Sequence, residues 1–200
     1  MKNFAEIKNL ILEKFPNISF YENDNYIGIN SNKLEIIPLI KFLKDDKKLL
    51  FNQLIDITAI DFPSRKDRFD IVYLLLSLTL NKRILIKISL DINSSLDSII
   101  NIYQSSNWYE RECHDLFGIK FLNHPDLRRI MTDYNFEGHP LRKDFPLTGH
   151  TEVRYDDLEK KVVYEPVKLA QEYRNFDYMS PWEGLDNKLE GDSKSEKDKQ

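Results

Sequence analysis

The chain reads as an α+β protein: an antiparallel or mixed sheet with packed helices, followed by a long extended C-terminal segment. Three observations lead there. Candidate strands follow one another through short polar turns, and no βαβ unit repeats. Residues 1–118 hold 37 Ile, Leu and Val, nearly one residue in three, whereas residues 119–185 hold 13. That second stretch carries instead ten aromatics and five of the eight prolines. Ordering the backbone costs ~1–2 kcal/mol per residue, and sparse aliphatic burial offsets little of it. Residues 1–118 are therefore expected to fold on their own core, and residues 119–185 to lie extended on a partner's surface. Residues 186–200, with one large apolar side chain and mixed charge, are expected to be disordered.

The elements follow in order. Phe4, Ile7, Ile11 and Phe15 fall at helical spacing, and Glu6 and Glu13 interrupt what would otherwise resemble a targeting segment. Ile18–Glu22 and Tyr26–Ile29 read as a hairpin about Asn23-Asp24-Asn25. Pro38 sits early in a helix over Ile37–Leu43, where its missing N–H is tolerated. Leu50–Ile60, Phe69–Leu80 and Arg83–Leu90 read as strands. IVYLLLSLTL is apolar on both faces, as a central strand should be; Asn81-Lys82 suits a two-residue turn and Asp61–Arg68 a longer one. Ser94-x-x-Asp97 resembles a helix start, with Leu96, Ile99, Ile100 and Tyr103 as its stripe. Trp108–Phe117 has helical spacing and Gly118 is a natural stop. Beyond it, one short helix is expected around Pro166–Tyr173.

Composition excludes several function classes. The net charge of −4 argues against a nucleic-acid binder relying on a broad basic field. A single cysteine, Cys113, allows no intrachain disulfide and no Cys-rich cluster built from this chain alone. No apolar run approaches the ~20 residues that span a bilayer. Neither G-x-x-x-x-G-K nor G-x-G-x-x-G occurs. His114, His124, His139 and His150 lack zinc-ligand spacing and read as surface or hydrogen-bonding groups. No catalytic, metal or cofactor ligand is expected in this chain.

The charged helix at 108–117 attracts most attention. Tyr109, Cys113, Leu116 and Phe117 make its apolar arc; Arg111 and Asp115 share the outer face, Glu110 and His114 another. Glu112 lies beside the apolar arc, so a half-buried carboxylate is expected, with Arg128, Arg129 or a partner chain as donor. A solvated face with ordinary i,i+4 pairs is the plain reading. Acid–base catalysis by Glu110, Glu112 or Asp115 ranks lowest, since no pocket or nucleophile accompanies them. A structural hub, where the core hands over to the following segment, fits the density of charge beside Trp108, Tyr109 and Phe117 best. Downstream, Arg128, Arg129, Arg142, Arg154 and Arg174 are interspersed with Phe121, Tyr134, Phe136, Phe145, Tyr164, Tyr173, Phe176, Tyr178 and Trp182. Arginine with aromatics is the vocabulary of interfaces, and many of these rings are expected to anchor in a neighbour.

At ERECHDLFGIKFLNHPDLRRIM the chain resembles the C-type subunit of the proton-translocating NADH:quinone oxidoreductase, respiratory complex I. Glu110-Arg111-Glu112 is followed after two residues by Asp115 and two large apolar residues; His124, Arg128 and Ile130-Met131 come at the family's intervals. The resemblance continues through DYNFEGHPLRKDFPLTGHTEVRYDD and YEPVKLAQEYRNFDYMSPWEG, covering about Phe51 to Gly184. It implies a cofactor-free member of the hydrophilic arm, packed on the D-type subunit that forms much of the quinone site, and near others such as the B-type subunit. FMN, iron–sulfur clusters and quinone would be held by those partners, which carry electrons from NADH to quinone coupled to proton translocation. On this reading Glu110, Arg111, Glu112, Asp115, His124, Arg128 and Arg129 serve structure, and Arg142, Phe145, Arg154, Tyr173 and Trp182 join them as structural or partner-binding residues. Glu112 with Arg128 or Arg129 is expected to be a buried pair fixing the exit of the following segment. The expected location is peripheral, on the cytoplasmic face of a bacterial inner membrane, with the mitochondrial matrix face as the alternative. Rival readings are the equivalent component of a membrane-bound hydrogenase-type complex and a stand-alone acid–base enzyme.

Overall fold

Alternation at period two turns Ile84, Ile86, Ile88 and Leu90 to one side of a strand and Ile71, Tyr73 and Leu75 to the same side of its neighbour; all are buried. A computed structural model describes residues 4–23 and 26–169. Its elements are α1 (Phe4–Lys14), β1 (Ser19–Asn23), β2 (Tyr26–Ser31), α2 (Ile36–Asp45), β3 (Gln53–Asp61), β4 (Phe69–Ser77), β5 (Lys82–Leu90), β6 (Ser95–Asp97), α3 (Ser106–Phe117), β7 (Lys120–Leu122), β8 (Thr151–Asp156) and β9 (Lys161–Pro166).

The main sheet has the order β1-β2-β5-β4-β3. It is mixed: β2 and β5 run parallel, and the other neighbours are antiparallel. In the β1–β2 hairpin, Gly28 stands opposite Tyr21, whose ring lies 2.3 Å from where a Cβ would sit, so any larger residue would displace that ring. Asp24 and Asn25 of its turn lie outside the described residues. Ile7 and Ile11 of α1, with Ile36, Leu39, Ile40 and Leu43 of α2, join the strands' inner face in one core. β3 is an edge strand covered by α3, and the Cys113 thiol of α3 donates to the Ile57 carbonyl of β3 at 3.2 Å.

Three local expectations change. Residues 94–103 form no helix. Ser95–Asp97 instead pairs in parallel with Lys120–Leu122, and Ser98 N–H donates to the Leu122 carbonyl. Leu96, Ile99 and Tyr103 are still buried, through turns rather than a helical stripe. The β4–β5 turn takes four residues, Leu78–Asn81, with Asn81 at φ 51°. Pro166 closes β9 rather than opening a helix, and residues 170–173 of that expected helix lie outside the described residues.

Two compact units divide after Gly149: Met1–Gly149 and His150–Gln200. Residues 119–149, grouped from sequence with the extended segment, belong to the first unit because they close over the end of α3. Residues Thr151–Pro166 form a β-hairpin, although the sequence there shows no convincing strand periodicity. Tyr173, Trp182, Arg174, Phe176, Tyr178 and residues 186–200 lie outside the described residues. Among the described residues no helix is long and apolar enough to cross a membrane.

Candidate functional site

An α-helix leaves its last four carbonyls without intrahelical partners, and they carry the negative end of the helix dipole. In α3 all four are taken. Gly118 N–H donates to the His114 carbonyl at 2.9 Å and His139 Nδ1–H to that of Asp115 at 2.8 Å. Leu141 N–H donates to the Leu116 carbonyl at 3.1 Å and Arg142 Nε–H to that of Phe117 at 2.6 Å. Gly118 holds φ 78°, and a Cβ there would lie 2.3 Å from Arg142 Nη2 and 2.6 Å from His139 Nε2. Glycine is thus required twice, for its left-handed backbone and for the closeness of this cap. Burial, with Arg142 and Arg129 nearby, lowers the His139 pKa and favours the neutral ring that caps the helix.

Glu110 is fully buried. Ser98 Oγ–H donates to its Oε2 at 2.6 Å and Ile99 N–H to its Oε1 at 2.8 Å. Burial raises its pKa, opposed by these hydrogen bonds and by His124. The His124 side chain is also buried, with Nε2 3.9 Å from Glu110 Oε2. Asp126 N–H donates to His124 Nδ1, which leaves Nε2 to donate to the Asn107 carbonyl at 3.3 Å. His124 thus locks the loop after β7 onto the start of α3.

Asp115 is the second buried carboxylate, so it does not share an outer face with Arg111. Its Oδ2 accepts from the N–H groups of Ile130, Met131 and Thr132 at 3.0, 2.7 and 2.9 Å. Its Oδ1 accepts from Thr132 Oγ1–H at 2.7 Å and lies 3.3 Å from Arg129 Nε. Burial alone would raise its pKa; the hydrogen bonds from Thr132, Met131 and Ile130 outweigh that and lower it. Arg129 continues across the loop to the carbonyls of Phe136 and Gly138. Arg111 donates to the carbonyls of Arg128 and Arg129 at 2.9 and 3.2 Å.

The expected buried pair of Glu112 with Arg128 or Arg129 is therefore corrected. Glu112 is exposed. Arg128 meets Asp126 on the surface at 2.8 Å, and Arg129 pairs with Asp115. Asp115 and Glu110, not Glu112, point at the chain that crosses α3.

A further cluster, unseen from sequence, fixes residues 142–145. Arg68 binds Asp61 through both oxygens, at 2.7 and 2.8 Å, and Asp144 likewise, at 3.0 and 2.9 Å. Lys143 N–H adds a 2.7 Å bond to Asp61. Hydrogen bonding to Arg68 holds both carboxylates below their ordinary range. The Phe145 ring packs on Phe136, centroids 5.7 Å apart. Nothing local marks the Arg68–Asp144 bond, since 76 positions separate the partners. The clue available was the paired Asp61 and Arg68 at the two ends of one polar turn.

In the hairpin, register places Val153 opposite Tyr164 and Tyr155 opposite Val162, so these four share one face, and each is more than half exposed. The other face carries Arg154, which bonds Glu165 at 3.1 Å.

Chemically, Glu110 and Asp115 are sealed with their oxygens already engaged, and what they do in α3 is tie distant chain segments to the helix. Among the described residues no group of three or more His, Cys, Asp or Glu is placed to hold a metal ion. The family model described as "Respiratory-chain NADH dehydrogenase, 30 Kd subunit" matches residues 29–151. The C-type subunit of NADH-quinone oxidoreductase from Hyphomonas neptunium is 57% identical over 160 residues, 80% of this chain and 79% of its own. Its counterpart from Parvibaculum lavamentivorans is 52% identical over 179 residues, 90% of each chain. Among solved structures, a chain of the membrane-bound sulfane sulfur reductase, an archaeal respiratory membrane complex, matches with a TM-score of 0.63 at 26% identity, covering 72% of this chain and 85% of that one.

Proposed function

Because the chain belongs to the family of the 30 kDa subunit of respiratory-chain NADH dehydrogenase, we propose that it is a cofactor-free structural component of the hydrophilic arm of NADH:quinone oxidoreductase. It docks on the D-type subunit at the quinone site, beside neighbours such as the B-type subunit, at the cytoplasmic face of a bacterial inner membrane. Its partners carry electrons from NADH through FMN and iron–sulfur clusters to quinone, coupled to proton translocation. Its own contribution is to hold those partners in place.

One observation carries the docking. Val153, Tyr155, Val162 and Tyr164 present an apolar face on a two-stranded hairpin. A lone hairpin is marginal in water, while full burial of such side chains stabilises by about 1.5–3 kcal/mol each. The hairpin lies within the part shared with relatives: an alignment spanning 179 of 200 residues cannot miss positions 151–166. A second reading, the equivalent component of a related membrane-bound complex such as a hydrogenase, draws support from the sulfane sulfur reductase likeness. The identities of 52–57% to C-type subunits of NADH-quinone oxidoreductase favour the first.

Affinity purification of the tagged chain from membranes tests both. FMN, iron and NADH-driven quinone reduction are expected in the eluate, and Val153→Glu with Tyr155→Glu is expected to lower all three together. Iron without FMN or NADH oxidation would favour the second reading. An eluate holding the chain alone would defeat both.

A further inference from the structure

Positions 105, 108, 109 and 112 lie at helical spacing on one side of α3, and residues 130–131 run beside them. Between them is a groove of about 590 Å3 lined by Ser105, Trp108, Tyr109, Glu112, Ile130 and Met131. Trp108 is 65% exposed and Met131 61%. Large apolar side chains gathered at this exposure mark an interaction surface rather than scattered surface hydrophobes. The wall is preformed, because Asp115 holds the N–H groups of both Ile130 and Met131.

The groove's charge is one-sided. Glu112 is the single charged side chain in its lining. The arginines nearby are already committed: Arg111 lies against the Trp108 ring, 6.0 Å from its centroid, with its N–H groups on two backbone carbonyls, Arg128 pairs with Asp126, and Arg129 with Asp115. An apolar occupant without a cation would desolvate the Glu112 carboxylate for nothing, at a cost that selects against it. An occupant with a cation turns the same carboxylate into a charge-assisted hydrogen bond at the edge of a Trp-centred hot spot.

We propose that this groove seats a segment of a partner subunit that places a large aliphatic or aromatic side chain between Trp108 and Met131 and an arginine or lysine on Glu112. The proposal rests on the reading of this chain as part of a larger complex, and adds a second docking surface to the hairpin.

The test uses the assembled complex. A photoreactive benzophenone side chain is placed at position 131, and at 108 in a second preparation, and crosslinked peptides are sequenced. The expected product joins this groove to a peptide of another subunit with an arginine or lysine next to a large apolar residue. In parallel, Glu112→Lys is expected to lower recovered complex about tenfold or more and Glu112→Gln by less, as for loss and reversal of an interface charge. The melting temperature of the full chain alone should be unchanged in both, since its own fold does not use Glu112. Crosslinks confined to this chain's own residues 170–200, crosslinks to a partner peptide lacking a cation, or an intact complex with no crosslink would each overturn the proposal. So would normal recovery of Glu112→Lys. If the wild-type chain brings down no other subunit, the reading of it as part of a complex itself fails; an intact complex with an empty groove defeats only this inference.

Discussion

Removing the Asp115 carboxylate is the sharpest probe of how residues 119–149 are held. Asp115→Ala strips the acceptor from three backbone N–H groups, the Thr132 hydroxyl and Arg129 at once. Breaking a buried charged pair by deleting one partner costs about 3–5 kcal/mol, and that range is expected here. Asp115→Asn is the control. Its amide oxygen can stay at the Oδ2 position and keep the three backbone donors, while the Arg129 attraction is lost, so about 1–2 kcal/mol is expected. Urea denaturation of the full chain measures both, and hydrogen exchange at Ile130, Met131 and Thr132 reports the loop directly. The pH dependence has a definite sign. The folded-state pKa of Asp115 lies below its ordinary 3.8, so its stabilisation is complete above that value and is lost as pH falls through the folded pKa. An Asp115→Ala cost below about 1 kcal/mol, or unchanged exchange at 130–132, would refute the view that this carboxylate organises the loop.

Further outcomes follow from the same cluster. Gly118→Ala puts a Cβ at φ 78° against Arg142 and His139, and should destabilise by more than the ~1–2 kcal/mol of left-handed strain alone, read by denaturation midpoint. Glu110→Gln should flatten the rise in stability that accompanies acidification: the folded pKa lies above the ordinary 4.5, so ionising Glu110 costs stability as pH rises above that value, and a neutral side chain removes the slope. A variant whose stability–pH curve overlays the wild type between pH 4.5 and neutrality contradicts this. Arg68→Lys keeps the charge but forfeits two-point binding to both Asp61 and Asp144; about 2 kcal/mol is expected in thermal unfolding, with faster exchange at Lys143 N–H.

What neighbouring residues encode is whatever local periodicity can express. The amphipathic α1, the doubly apolar β4, the alternating β5 and the Gly118 stop are each written in adjacent positions, because side-chain direction repeats every 3.6 or 2 residues. The same patterns place the charged helix at the junction between core and following chain. They do not say which carboxylate turns inward. Periodicity set Glu112 beside the apolar arc and Asp115 on the outer face, yet the crossing of residues 98–99 and 124–132 over α3 decides the matter, supplying donors to Glu110 and Asp115 and leaving Glu112 in solvent. The stripe at 96–103 failed as a helix for a related reason, since a strand pairing and the Glu110 carboxylate took up the polar groups a helix would have used internally. Hydrophobic burial is a property of short segments, whereas a buried charge is stable only where distant donors converge. Periodicity therefore foretold the core, and tertiary contacts alone decided the polar knot that ties residues 119–149 to it.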